Sequence, residues 1–394
     1  MGRVAIGGHD RGMTTRHPAH PLPARRWRPR ALLTLLPLLA VAGTAAAQML
    51  SDPGLESLYQ ADRLPELQRA AQQRLAAQPD DPQAVLALAL AALERNDAPL
   101  RRDALERARG CAERQPRAQP CHYAHGTLLG VQAMSDGMLA AARSAGTVRE
   151  ALDTAHTLDP AWYPARGALL EFYALAPAMM GGSSRKAAEL AKAAPRPEQA
   201  AALQARLLLG DGKRTEALAL LQPLLPVAEP TLRTDVLQWG SQAGLGLVND
   251  GQAAQAQAWF ERLMRDHADE SAGPYGLARV KGELGDWPAA LALLERAARL
   301  KGADRWPIGY RIGIAQQQLG QRDAARASLQ RFVDAGKGQK ASLEDARKRL
   351  AELSARCVGG RRRPAALRSA RRRAGSASGL RAAGPGARCR CARA

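Results

Sequence analysis

Between Ala205 and Leu329 one spacing of small and large apolar residues occurs four times. A small residue (Ala205, Gly244, Ala278, Gly313) is followed seven positions later by Gly212, Gly251, Gly285 or Gly320. Five positions further stand Ala217, Ala256, Ala290 and Ala325, and four beyond those Leu221, Phe260, Leu294 and Leu329. Apolar positions three and four residues apart follow the helical period, and a glycine after such a run marks a left-handed cap. Each unit therefore predicts helix, glycine turn, helix. The first small residue lets the two helices approach, the alanine faces it, and Leu or Phe fills the space one turn on. Two helices cannot bury their apolar faces alone, so such units stack into a shared core.

Upstream the pattern loosens but does not change kind. DDPQAVLALALAALERND and APLRRDALERARGCAERQP predict another pair, and QPCHYAHGTLLGVQAM opens a third whose second helix is elongated and ends at Pro160. AWYPARGALLEFYALAP and SSRKAAELAKAA predict the pair that follows. With the four regular units this makes an all-α solenoid of about seven antiparallel helix pairs, closed by a C-terminal capping helix over residues 341–354. That helix, with LEDARKRLAEL, has acids early and bases late, as the helix dipole favours. Composition agrees: 46% of residues are hydrophobic but only 4% aromatic, and no Val/Ile/Thr-rich run suggests a strand.

The segments AWYPARGALLEFYALAPAMMGGSSRKAAELAKA and PIGYRIGIAQQQLGQRDAARASLQRF resemble exported bacterial tetratricopeptide-repeat (TPR) proteins that carry a FYxxAPxxxGGSxxKA element. The usual tryptophan and tyrosine positions of that repeat are largely absent, so the four-fold recurrence carries the likeness. The resemblance implies a periplasmic protein of TPR fold; it implies no reaction and names no ligand.

Charge divides the chain. The net +20 separates into +6 over residues 1–47 (seven arginines, one aspartate) and +11 over residues 357–394 (eleven arginines, no acid). The middle keeps 20 − 6 − 11 = +3, which gives no electrostatic reason to expect nucleic acid on the core. The first 47 residues read as a signal peptide with a long n-region: ARRWRPR, then the apolar ALLTLLPLLAVAG, then TAAAQ with cleavage after Ala47. Met1 and Met13 both serve as candidate starts. The apolar run is interrupted by Pro37 and is shorter than the roughly 20 residues of a spanning helix, so no integral anchor is expected. Residues 48–81 read as a helical lead-in, 82–355 as the solenoid and 356–394 as a disordered basic tail. Its Arg/Ala/Gly/Pro composition also matches coding DNA translated in a shifted frame. Cys111 and Cys121 are the two cysteines of the folded part and lie ten residues apart around RQPRAQP. In an oxidising periplasm they are expected to form a disulfide.

The stretch PAMMGGSSRK, before a helix, suggests a phosphate cradle. It lacks the Gly–Lys–Ser/Thr end of a P-loop, and helical rather than strand text precedes it. The reading is a hinge inside one repeat, with Gly181 and Gly182 reversing the chain and Ser183 or Ser184 capping the next helix. An anion contact at those amides stays open. Met179 and Met180 are expected to pack on the neighbouring unit. Cys121, His122 and His125 lack the companions of a zinc site. No metal, cofactor or catalytic motif is expected, so the chain reads as no enzyme.

The functional expectation is a non-catalytic scaffold whose concave groove, lined by the first helices, docks an extended or helical segment of another protein. In a TPR-like register Arg206, Gln238, Tyr275, Arg279, Tyr310 and Gln317 are the candidate groove residues. Two other readings remain. One is an accessory or ligand carrier of the cell envelope with a pocket near residues 160–195. The other is nucleic-acid or anionic-surface binding by the basic tail.

Overall fold

Aspartate caps and early prolines set where the helices begin. The carboxylates of Asp52, Asp81, Asp97 and Asp286 accept from amides two or three residues on. A proline follows each of these within the first two helical positions, where its missing N–H has no partner to lose. The computed structural model describes residues 48–95, 97–336 and 338–358. They form seventeen α-helices, with no strand among the described residues.

Helices α1 (Pro53–Gln60) and α2 (Leu64–Ala77) form a short pair in the lead-in. Seven antiparallel pairs follow: α3 (Pro82–Glu94) with α4 (Ala98–Arg114), α5 (Gln119–Asp136) with α6 (Met138–Leu158), and α7 (Tyr163–Leu175) with α8 (Ser184–Lys192). Then come α9 (Pro197–Gly210) with α10 (Arg214–Leu221), α11 (Pro230–Asn249) with α12 (Ala253–Asp266), α13 (Ala272–Glu283) with α14 (Trp287–Ala297), and α15 (Ile308–Gln318) with α16 (Arg322–Ala335). Helix α17 (Lys340–Val358) closes the stack. It runs past the expected end at 354, so the first residues assigned to the tail are helical. Residues 1–47 and 359–394, with the leader and nearly all the basic tail, lie outside the described residues.

The four-fold spacing maps directly onto packing. Gly212, Gly251, Gly285 and Gly320 all adopt positive φ, between 73° and 78°, which a side chain would strain. Ala217, Ala256, Ala290 and Ala325 are buried, as are Leu221, Phe260, Leu294 and Leu329. A Cβ on Gly244 would lie 2.7 Å from Phe260 Cζ, and one on Gly313 2.6 Å from Leu329 Cγ. The small residue and the large one therefore interlock at van der Waals distance.

At four of the six steps the first helix of a pair packs on the first helix of the next: α3 meets α5, α7 meets α9, α9 meets α11, and α11 meets α13. First helices thus form the inner layer, and second helices the outer one. Helix α3 is the extreme case, with every residue from Ala84 to Ala92 buried between its neighbours. A disulfide joins Cys111 to Cys121 with Cα atoms 5.6 Å apart, tying the end of α4 to the start of α5.

Candidate functional site: a polar cavity on the inner layer

Helix α11 has 20 residues, whereas α13 and α15 have 12 and 11. Its extra turns form one wall of a cavity of about 810 Å³. From α11 come Arg233, Thr234, Leu237, Gln238, Gln242, Leu245 and Asn249. The loops before α13 and α15 add Glu270, Ser271, Lys301, Arg305 and Trp306. These loops are zipped together, Ser271 N donating to Lys301 O at 2.9 Å and Lys301 N to Asp269 O at 3.0 Å. Gln60 of α1 and Glu94 of α3 line the same cavity, so the coil brings its first pairs opposite its later ones.

Charges in the wall are shared. Glu270, 8% exposed, lies 3.7 Å from Arg233 and 3.6 Å from Lys301. Arg214 pairs with Asp250 at 2.7 Å and crosses α11 over Gly246, where a Cβ would meet its Nε at 2.1 Å. Burial holds the Glu94 carboxyl above its ordinary range, with Arg305 pulling the other way.

Deeper in the inner layer, the Tyr163 hydroxyl donates to Asp235 Oδ2 at 2.7 Å, joining α7 to α11 across α9. Burial pushes the Asp235 carboxyl up to about 7; Glu171 adds to the rise, while the Tyr163 bond and Arg206 oppose it. Burial also raises the Tyr123 and Tyr59 hydroxyls, with Glu94 contributing to both.

The six candidate groove residues are placed in different ways. Gln238 is exposed and lines the cavity. Arg206 makes a two-bond pair with Glu171, its Nη2 2.6 Å from Oε2. Arg279 donates to Asn249 Oδ1 at 3.1 Å on the edge of the wall. Tyr275 is only 3% exposed and stacks on Trp306, with ring centroids 4.8 Å apart. Tyr310, 8% exposed, donates to Asp345 Oδ2 at 2.7 Å, and Gln317 Oε1 accepts from Arg349 at 3.0 Å. Those two face the capping helix α17 and not an open groove. The register misplaced them because positions three before and four after the packing glycine fall on the seam between units. Gln242, Asn249, Arg233 and Arg305 line the cavity but are not among the sequence candidates. Gln238 and Gln242, four residues apart on one predicted helix, were the available signal; nothing in the loop text marked Arg305 or Trp306.

At the hinge, Gly181 takes a φ of +93°, and a Cβ on Gly182 would lie 1.7 Å from Ala176 O. The amides of Gly181, Gly182 and Ser183 donate to Ala178, Pro177 and Tyr173 carbonyls at 2.8–3.1 Å, and Ser183 Oγ caps Lys186 N at 3.3 Å. The hinge thus occupies the amides of Gly181, Gly182 and Ser183, and Ser184 opens α8. Met179 is 91% exposed, so it does not pack on the neighbouring unit as expected. No residue between 160 and 195 lines the 810 Å³ cavity. His122 Nε2 lies 3.0 Å from Pro116 O, and Cys121 is held by Cys111.

No protein-family model matches the sequence, and no curated protein matches it. Solved structures do. Yeast Tom70 aligns with a TM-score of 0.54 at 14% identity, over 79% of this chain and 62% of Tom70. A tetratricopeptide repeat protein from Parabacteroides merdae aligns at 0.41 and 12%, over 69% of this chain and 98% of its own. A human IFIT1 dimer with PPP-AAAA aligns at 0.46 and 14%, over 71% of this chain and 65% of its own. The chain spans less than two thirds of Tom70 and of IFIT1. At these identities the likeness concerns the fold alone, and with the repeat geometry it makes the chain a TPR-like α-solenoid.

Proposed function

We propose that this protein is a non-catalytic periplasmic scaffold whose inner surface docks a segment of a partner protein. One observation carries the reading: a single 810 Å³ cavity is walled by the exposed face of an inner helix, α11, and by residues of the first and later pairs. Solenoids of this kind expose their inner layer as an extended binding surface. The TPR-like fold supports a protein-interaction role in general terms. Disulfides persist in oxidising compartments, so the Cys111–Cys121 bond favours export.

A photo-reactive amino acid at Thr234, on the wall, is compared in living cells with one at Ala258, exposed on the outer helix α12. Adducts of defined mass are expected from position 234 and not from 258. Equal yields, or none from 234, would remove the groove from consideration. For the address, osmotic shock should release a protein whose first residue is Gln48. A cytoplasmic protein retaining its leader would defeat the periplasmic assignment.

A further inference from the structure

Thr234, Gln238, Gln242, Gly246 and Asn249 recur every three or four residues along α11, and all line the cavity. Gln238 and Gln242 are exposed, and among the described residues their amides have no hydrogen-bond partner. Asn249 has its oxygen held by Arg279 at 3.1 Å, which leaves its NH₂ group free to donate into the cavity. Three side-chain amides thus stand in one row.

The spacing of that row selects a ligand. A carboxamide presents one acceptor and a donor pair in a plane, complementary to the N–H and C=O that a peptide unit offers. Four residues of helix advance about 6 Å. Two residues of an extended chain advance about 6.6 Å, and every second residue points its polar groups to the same edge. Amides at positions i and i+4 therefore meet alternate residues of an extended peptide almost in register. A helical ligand has its N–H and C=O groups bonded internally and offers the row nothing to bind. From Thr234 to Asn249 the wall runs about 22 Å, the length of about seven extended residues.

Charge selects among peptides. Arg233 and Lys301 share one carboxylate, Glu270. Arg305 has no carboxylate within 4 Å among the described residues, its acidic influence coming from Glu94 further off. Arg214 is neutralised by Asp250. Even with Glu94 counted, the cavity is left with a small cationic surplus.

We propose that α11 holds an extended, acidic peptide by its main chain, with Gln238 and Gln242 pairing to alternate residues and Arg305, Arg233 and Lys301 meeting its carboxylates. This rests on the groove reading above and narrows its occupant to an extended segment.

Full-length protein is panned against a random dodecapeptide library displayed on phage, and the selected peptides are resynthesised. Asp and Glu should be enriched. N-methylation of alternate residues should weaken binding at least tenfold in one phase and leave the other phase unchanged, because one edge faces α11. The Gln238→Ala/Gln242→Ala double variant should lose about 10- to 100-fold in affinity with an unchanged melting temperature. Arg305→Glu should lose about 3- to 10-fold, with the loss shrinking at high salt. Selected peptides that tolerate both methylation phases, or that bind the double variant within twofold, overturn the main-chain proposal. If such peptides still lose affinity with Arg305→Glu, the groove reading survives without it. Recovery of no peptide, or of peptides indifferent to every cavity variant, overturns both.

Discussion

Helices α11 and α15 carry the packing glycine of the repeat at equivalent positions, Gly244 and Gly313, and each glycine is filled by the second helix of its own pair. Their inner faces nevertheless end in opposite states. α11 runs nine residues longer, 20 against 11, and its added N-terminal turns extend the cavity wall beyond the part that has a counterpart in α15. α15 lacks those turns, and α17 takes up its polar side chains through Tyr310–Asp345 and Gln317–Arg349. The repeat motif therefore determines how a pair packs, while helix length and the next unit determine whether its inner face is free.

If the two pairs share one packing design, they should respond alike when it is broken. Phe260 and Leu329 are both fully buried. Phe260→Ala is expected to cost about 3–5 kcal/mol and Leu329→Ala about 2–5 kcal/mol in denaturant unfolding. A cost near zero at either position would show that only one pair depends on the glycine interlock. Conversely, a bulky residue at Gly244 would have to displace the Phe260 ring, whereas Gly251, in open space, constrains only φ.

This equivalence explains what was legible in the sequence. The spacing from Gly244 to Gly251, Ala256 and Phe260 is local, and each step follows from helical period and turn geometry, so the pairs and their core could be read directly. The cavity is not local. Glu94 and Arg305 are separated by 211 positions (305 − 94) and meet only because the stack coils. No spacing in the chain encodes that curvature. Tyr310 illustrates the same limit: in isolation it occupies a plausible groove position, and only α17, 35 residues on, covers it. Met179 shows the converse, an apolar residue that the fold leaves in solvent.

The cover on α15 can be tested by removing one hydrogen bond. Tyr310→Phe keeps the ring that lies against Phe332, with centroids 5.6 Å apart, and deletes the donor to Asp345. The expected cost is about 1–2 kcal/mol, seen as a lower denaturation midpoint. If α17 contributed only a loose cap, the midpoint would not move.

On α11 the corresponding acid is the half-buried Asp235, which faces Tyr163, Glu171 and Arg206. Its carboxyl titrates near 7 in the folded chain and near 3.8 when unfolded. Between those values the folded state binds a proton that the unfolded state has released, so stability falls as pH rises from about 4 to about 7. Asp235→Asn removes this dependence. The variant should gain on the parent by about 1 kcal/mol across that window, the solvent reaching this half-buried group keeping the effect below the full shift. Parallel pH–stability curves would mean that Asp235 ionises normally.

The smallest effect is the most direct measure of an open face. Among the described residues Gln238 on α11 has no partner to lose, so Gln238→Ala should change stability by less than about 0.5 kcal/mol. Gln317 on α15 accepts from Arg349, so Gln317→Ala should cost about 0.5–1.5 kcal/mol. Paired denaturant titrations resolve that difference if each midpoint is well determined. Equal costs at the two glutamines would mean that the α11 row is already engaged within the fold.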